Sequence, residues 1–430
     1  MKRKTIFLLA ILLLAFVHSN SQTKADAARE TNETELRRQS FEKVWSTINE
    51  NHYDKTFGGT DWRKVREIYE PRAMSAKTRA EFHAVLSQML GELKLSHFGV
   101  YGRETQIETS RNGSGTIGIE LKMIDGRAVV SRVRQSSTAE KAGLKPGFVV
   151  EKIDGKSVSE ILEPFEKNFA ALRYNEQTKR IYRERILLGF IEGKPETIVR
   201  IEVLNGKNQP QIFSVARYAA KVEMSEAVGN FPPQEIVFEA KRLESGVGYI
   251  RFNGWLIPQM PKIRAAVSEF ADAPGIVFDL RGNPGGLGGM ATGVAGLLMT
   301  EQVSLGSMTG RETELKFIVY PQANPFSGKV VILTDYGTAS TSEIFAAGLQ
   351  EIGRARVVGE RSAGAVLPSV FVVLPTDAIF QYAVSDYKSP KNVLIEGIGV
   401  TPDTEVKQTR EALLAGRDLP LEEAVRQILN

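Results

Sequence analysis

Val330-Val331-Ile332-Leu333-Thr334-Asp335-Tyr336-Gly337-Thr338-Ala339-Ser340-Thr341-Ser342-Glu343, continuing into Ile344 to Ile352, is the stretch whose reading decides the fold. Val330 to Thr334 is the apolar, β-branched run of a buried strand, and Ile344 to Ile352 repeats apolar residues at helical spacing. A strand that turns directly into a helix is the building unit of an α/β domain. The turn carries Ser340 to the mouth of a helix N-terminus. There, unpaired backbone N–H groups and the positive dipole end can stabilise an alkoxide or an oxyanion. The same letters spell Ser-x-x-Glu, a capping box in which Ser340 would only cap its helix. The remainder of the chain has to decide between these two readings.

Outward from that stretch, strands are expected at 246–252, 275–280, 329–334 and 355–358, alternating with helices over 235–408. A tail over 409–430 ends in an amphipathic helix at 420–429. Directly after the second strand comes Asp279-Leu280-Arg281-Gly282-Asn283-Pro284-Gly285-Gly286-Leu287-Gly288-Gly289. Its glycines let backbone amides approach a ligand closely. The loop lacks the Gly-Lys-Ser/Thr ending and the G-x-G-x-x-G spacing of nucleotide loops, which favours an oxyanion hole. The N–H of Gly285 or Gly286 and that of Thr341 would be its donors; a tight turn that merely needs glycine is the plain alternative.

Composition narrows the field. The chain has 430 residues, enough for two to three domains. Lys2, Arg3 and Lys4 precede an apolar run from Ile6 to Val17, with Ser19 and Ser21 where a signal peptidase cuts; residues 1–21 read as a leader. The run is too short to anchor comfortably, so no stable membrane span is expected after cleavage. Losing the three basic residues takes the formal charge from +4 to +1, which offers no electrostatic case for nucleic acid. With no cysteine there is no disulfide and no thiol nucleophile. Only His52, His83 and His97 remain in the mature chain, none spaced with another as a ligand pair, so no metal or cofactor is implied.

Residues 33–110 read as an N-terminal helical region. Phe41, Val44, Trp45 and Ile48 share one face; Phe82, Val85, Leu86, Met89 and Leu90 share another, and Asp61 is placed to cap a helix at Trp62. Residues 113–207 change character: strands flank the Asp125-Gly126 turn, a short helix follows at 139–144, and then Lys145-Pro146-Gly147 leads into a strand ending Ile153-Asp154-Gly155-Lys156. This order resembles a bacterial PDZ domain, followed by a charged helical stretch at 158–192 and a closing strand at 197–204. The resemblance implies a sheet edge that accepts an extended peptide, with N–H groups near Ile117, Gly118 and Ile119 holding its terminal carboxylate.

Two further sites carry polar side chains of catalytic type. Ser96-His97 closes the helical region, and His97 is the candidate base, since His52 and His83 fall in helix-like segments. Glu396, in Glu396-Gly397-Ile398-Gly399-Val400-Thr401-Pro402-Asp403, could orient that imidazole. Together, S-x-S-E at Ser340 to Glu343, D-L-R-x-N-x-G-G at 279–286, L-x-x-S-H ending at Ser96-His97, and E-x-x-G-V-x-P-D at 396–403 resemble the C-terminal processing, or tail-specific, peptidase family. The resemblance implies a multi-domain α/β (α+β) protein with a crotonase/ClpP-like protease core and Ser340, rather than Ser342, as nucleophile.

Many members of that family use a Ser–Lys dyad, with the lysine in G-E-x-x-x-G-K. Here the stretch is Gly359-Glu360-Arg361-Ser362-Ala363-Gly364-Ala365, with alanine in place of the lysine. The tricorn-like branch instead uses a histidine and a glutamate, matched by His97 and Glu396, with Ser96 assisting. The resemblance thus implies an exported serine endopeptidase, periplasmic or extracellular, acting on unfolded or C-terminal-tail polypeptides, with its oligomeric state open. Its activity should fall as imidazole protonates, an event expected to be largely complete at about pH 5. The competing expectation is a catalytically silent, PDZ-bearing peptide binder or scaffold.

Overall fold

The computed structural model describes residues 31–102, 115–172, 175–229 and 231–430, the side chains of 167–172 excepted. The expected leader and the first residues of the 113–207 segment lie outside these. The run read from Val330 forms the strand Lys329–Thr334 near the middle of a six-stranded sheet. The order is Phe238–Arg242, Gly248–Phe252, Gly275–Asp279, Lys329–Thr334, Arg356–Gly359, Thr404–Glu405. The first pair is antiparallel and the others are parallel.

A central parallel strand is covered on both faces, which is why its sequence is continuously apolar rather than alternating. Side chains alternate across it. Ile250, Phe278 and Ile332 point into a core built with the helices Gln259–Glu269, Gly289–Ala295 and Thr341–Glu351. Tyr249, Val277, Val331 and Leu333 point the other way, onto Ala424 and Ile428 of the C-terminal helix Leu419–Leu429.

The second unit is a sheet ordered Ile119–Ile124, Arg127–Val133, Val149–Ile153, Ile198–Leu204, Pro210–Ala216. Asp125 and Gly126 take φ of 48° and 73°, the two left-handed residues of a type I′ hairpin. The charged stretch resolves into two helices, Val158–Leu172 and Glu176–Ile191. The sheet continues past residue 207, because Asn205 to Gln209 close a hairpin whose return strand pairs with Ile198–Leu204 along its full length.

Three helices, at 31–51, Trp62–Met74 and Arg79–Gly91, form the N-terminal unit. Asp61 accepts from the Lys64 N–H and caps the second. Phe41, Val44, Ile48, Phe82, Leu86, Met89 and Leu90 are buried as their spacing indicates, with Trp45 and Val85 partly covered. Their core is completed by Val100, Leu374, Ala378 and Phe380. Val100 and Phe380 lie in a small antiparallel sheet, Gly99–Tyr101 with Ile379–Ala383 with Ser369–Val373, and Leu374 and Ala378 flank its hairpin turn; the sheet joins the N-terminal unit to the segment between the last two strands of the main sheet.

Phe278 is fully buried in the central layer and packs edge-on against Phe345, with centroids 5.6 Å apart. Phe278→Ala should therefore lower unfolding stability by about 3–5 kcal/mol, read from urea titration followed by circular dichroism.

Candidate active site

Ser340 sits between the strand Lys329–Thr334 and the helix Thr341–Glu351, at φ 56° and ψ −122°. A residue with a β-carbon is strained there, and such strain persists only where its surroundings enforce it. The Ser340 N–H donates to Glu343 Oε2 at 3.0 Å and to the Ala365 carbonyl at 2.8 Å. The Ser340 side chain makes no capping bond, because the Glu343 N–H goes to the Ser340 carbonyl instead. The Glu343 carboxylate closes the turn on the Ser340 N–H, and Ser340 lines the cleft. Ser342, by contrast, is fully buried; its Oγ accepts from Trp255 Nε1 at 2.8 Å and donates to the Asn283 carbonyl at 3.2 Å.

Glu343 is completely buried and accepts four hydrogen bonds, from Ser340 N–H, Ala365 N–H, Gly364 N–H and Ser362 Oγ. Burial raises its carboxyl to about 7 against the pull of those donors. The carboxylate thereby ties the Ser340 turn to the 362–365 segment. Sequence reasoning saw Glu343 only as half of a capping box and missed this second role.

The glycine-rich loop abuts the turn. Gly286 takes φ 145°, and a β-carbon on it would lie 2.5 Å from the Trp255 carbonyl oxygen; one on Gly285 would lie 2.6 Å from Ser340 Cβ. The Gly285 N–H is already given to Asn283 Oδ1 at 3.0 Å, so Gly285 is unavailable as an oxyanion donor in this conformation. Trp255 brackets the next peptide, donating to Gly285 O and accepting from Leu287 N–H, which turns the Gly286 N–H outward. Thr341 Oγ1 donates to the Gly286 carbonyl at 2.9 Å, joining the loop to the first turn of the helix. Among the described residues, the Gly286 and Thr341 amides at this junction have no protein partner.

Ser96, His97 and Glu396 come together from 300 residues apart. Ser96 N–H donates to Glu396 Oε1 at 2.6 Å, Ser96 Oγ donates to Oε2 at 2.9 Å, and Val366 N–H adds a bond to Oε2 at 3.0 Å. Ser96 Oγ also lies 2.7 Å from His97 Nδ1. A hydroxyl that donates to a carboxylate must accept from the ring, so Nδ1 carries the proton and Nε2 keeps its lone pair. His97 has φ 61°, a second left-handed residue at the site. Burial pushes its pKa down to about 4, below the range expected from the sequence, and raises Glu396 above the usual carboxylate range. Ser96, His97, Glu396, Gly286, Ser340 and Thr341 all line one cleft of about 2310 Å³. Among the described residues, no hydrogen bond joins Ser340 Oγ to His97.

With this geometry in hand, known proteins give a consistent picture. The sequence pattern of peptidase family S41 matches residues 246–406, and that of the tricorn protease C1 domain matches residues 34–91. A carboxyl-terminal-processing protease of Synechocystis sp. is 27% identical over 373 residues, covering 85% of this chain and 79% of the relative. Residues 246–406 match the peptidase family S41 domain, and the protein is a serine peptidase. Its fold is that of the photosystem II D1 C-terminal processing protease, which superimposes with a TM-score of 0.58 at 22% identity over 92% of this chain and 97% of that one. Mature CPAF superimposes with a TM-score of 0.60 at 12% identity, over 91% and 98% of the two chains.

In this peptidase His52 and His83 serve packing. His83 Nε2 lies 3.1 Å from Thr376 Oγ1 inside the N-terminal unit. His52 falls one residue beyond the first helix rather than within it, and stacks on Tyr53 and Phe98. Ala365 contributes only backbone groups to the site, through its bonds to Ser340 and Glu343.

Of the residues expected to hold a peptide carboxylate, Gly118 and Ile119 line the cleft, whereas Ile117 is wholly buried in the core of its own unit. Further along the same edge strand, Met123 is already engaged: its N–H donates to Glu184 Oε1 at 2.7 Å and its carbonyl accepts from Arg180 Nη2 at 2.8 Å. Lys122 reaches Asp335 Oδ2 at 2.7 Å, and the Tyr336 hydroxyl donates to Glu184, so the edge strand rests on the loop leading to Ser340.

Gly286→Ala should lower kcat/KM by roughly 10²-fold or more, because the added methyl meets the Trp255 backbone and turns the Gly286 amide. Steady-state kinetics beside a melting curve would separate this from unfolding.

Proposed function

We propose that the protein is an exported serine endopeptidase that cleaves unfolded polypeptides or C-terminal tails through Ser340, His97 and Glu396. The observation that carries this reading is the Glu396–Ser96–His97 relay, which leaves a neutral imidazole with a free Nε2 in the cleft that also holds Ser340 Oγ. The alanine at position 365 supports it, since no lysine is available there to act as base.

In the proposed reaction His97 takes the Ser340 proton as Oγ attacks a peptide carbonyl. The Gly286 and Thr341 amides receive the oxyanion. His97 then protonates the leaving amine, and water hydrolyses the acyl-enzyme with His97 again as base. Glu396 acts through Ser96 to hold the ring and to stabilise its charged form. Substrate binding would close the remaining gap between Ser340 and His97, as catalytic hydrogen bonds often tighten only in the complex. Export rests on the leader at residues 1–21. The 113–207 segment is proposed as a PDZ-like reader of peptide tails; its place between His97 and Ser340 along the chain would couple tail binding to alignment of the triad.

The test is digestion of an unfolded protein by the purified chain beside Ser340→Ala and His97→Ala, with fragments identified by mass spectrometry. Both variants should lose roughly 10³-fold or more of the rate. Equal cleavage by Ser340→Ala would overturn the assignment, and absence of cleavage in all three, with peptide tails still bound, would favour the silent binder.

The pH profile gives a second prediction. The rate follows the neutral fraction of His97, so activity falls as pH drops through its pKa. With that pKa pushed down to about 4, kcat/KM should hold level from pH 7 to about 5 and fall below that. Glu343, raised to about 7, could add a limb of its own, which Glu343→Gln would remove. A limb near pH 6.5 that survives in Glu343→Gln would contradict the buried-histidine geometry.

A further inference from the structure

The C-terminal segment does more than cover the sheet, because its two helices grip different units. On the helix Arg410–Leu414, Arg410 Nε donates to the Gly147 carbonyl at 2.9 Å, Nη1 to Asn208 Oδ1 at 2.6 Å and Nη2 to the Asn205 carbonyl at 2.8 Å. Leu414 packs so closely there that a β-carbon on Gly147 would lie 2.5 Å from its Cγ. The helix Leu419–Leu429 is sunk in the sheet core through Ala424 and Ile428. Asp418 stands between the two and turns into the catalytic cleft.

There it meets Arg281, the residue at the head of the oxyanion loop. Arg281 Nη1 and Nη2 donate to Asp418 Oδ1 and Oδ2 at 2.7 and 2.8 Å. On its other side, Arg281 Nε and Nη2 donate to Asp279 Oδ1 and Oδ2 at 2.8 and 2.6 Å. Asp279, 1% exposed at the end of its strand, also accepts from the Tyr249 hydroxyl at 2.7 Å. Burial alone would raise the Asp279 carboxyl, but Arg281 holds it well below the usual range. One guanidinium is thus forked onto two carboxylates, a rigid planar arrangement that a point charge could not provide. Asp279 already neutralises Arg281, so a second carboxylate is not required by charge. What it adds is orientation: it occupies the donors that would otherwise face the cleft. From Arg281 the loop runs on through Gly282, held by Asp335 Oδ1 at 2.8 Å, to the outward amide of Gly286.

We propose that Asp418 is a positioning residue of this peptidase, gripping the far side of Arg281 so that the 281–286 loop presents the Gly286 N–H to the oxyanion. The proposal rests on the reading of Gly286 as an oxyanion donor. It makes the C-terminal tail part of the catalytic apparatus, although the tail supplies no reacting group. It also gives the unit held by Arg410 a covalently short connection to the same loop, eight residues long.

The test uses the full chain with Asp418→Asn, Asp418→Glu and, as a control on the same tail, Arg417→Gln, whose side chain pairs with Glu422 at the surface. Asparagine still caps the helix at the Leu421 N–H, so Asp418→Asn should fold. Active sites are counted by complete labelling with a serine-directed fluorophosphonate, and kcat and KM are measured on a short peptide amide. Asp418→Asn should lower kcat per labelled site roughly 10- to 100-fold, with KM within about twofold. Asp418→Glu should recover part of the loss, and Arg417→Gln should match the parent chain. An unchanged kcat in Asp418→Asn, or a loss explained wholly by fewer labelled sites or by KM, would overturn the proposal. If Ser340→Ala is inactive while Asp418→Asn is unimpaired, this inference alone fails; if Ser340→Ala retains activity, the parent reading of the site fails with it.

Discussion

Three residues of strand hold the candidate site together. Gly99–Tyr101 pairs antiparallel with Ile379–Ala383 in the register Gly99↔Gln381, Val100↔Phe380, Tyr101↔Ile379. Val100 and Phe380 are both buried in the core that the N-terminal helices build. Because side chains alternate with a period of two, a slip of one residue would turn Val100 out of that core, so the register is strongly specified. His97 lies two residues before this strand, and its position follows from the pairing. The Ser96–Glu396 bonds then fix the last two residues of the approach.

Two buried glutamates do the rest by different means. Glu396 receives backbone N–H groups from Ser96 and Val366 and the Ser96 hydroxyl, and through Ser96 holds the His97 ring. Glu343 receives donors from both sides of the nucleophile turn and holds Ser340 in its left-handed conformation. A carboxyl group is costly to bury unless its oxygens are bonded, and here most of the bonds come from rigid main chain. Strain at Ser340 and His97 is tolerated because these contacts over-determine it. Burial also moves the three titrating groups in useful directions: the imidazole stays neutral, and neither carboxyl is as acidic as it would be in water.

The unit at 119–216 meets the core where the chain approaches Ser340. Lys122 is half-buried between Asp335 and Glu184, and their charges outweigh the desolvation that would otherwise lower its pKa. Asp335 also accepts from the Gly282 and Gly337 amides, so the same carboxylate touches the edge strand, the glycine-rich loop and the turn leading to Ser340. Breaking a buried pair of this kind is costly, since it strands one charge without its partner. The contact therefore resists separation of the two units and confines any relative motion to rearrangements that keep Lys122 and Asp335 paired.

The sequence by itself determined what depends on neighbours along the chain. The apolar run from Val330 to Leu333 was legible as a buried strand, and the helix faces at Phe41 and Phe82 were legible from a period of 3.6. The motif residues at 96–97, 279–289, 340–343 and 396 were legible as candidates because glycines and isolated polar groups stand out between apolar elements. Tertiary structure alone decided how they meet. No local pattern shows that the Gly285 amide is consumed by Asn283 while that of Gly286 turns outward. Nor does any show that Ile117 is needed in a core, that Glu343 binds residues 362–365, or that Asp418 reaches Arg281 across 137 residues. Periodicity and turn chemistry act over a few residues, whereas hydrogen-bond satisfaction and burial are settled only when distant segments compete for the same donors and the same space.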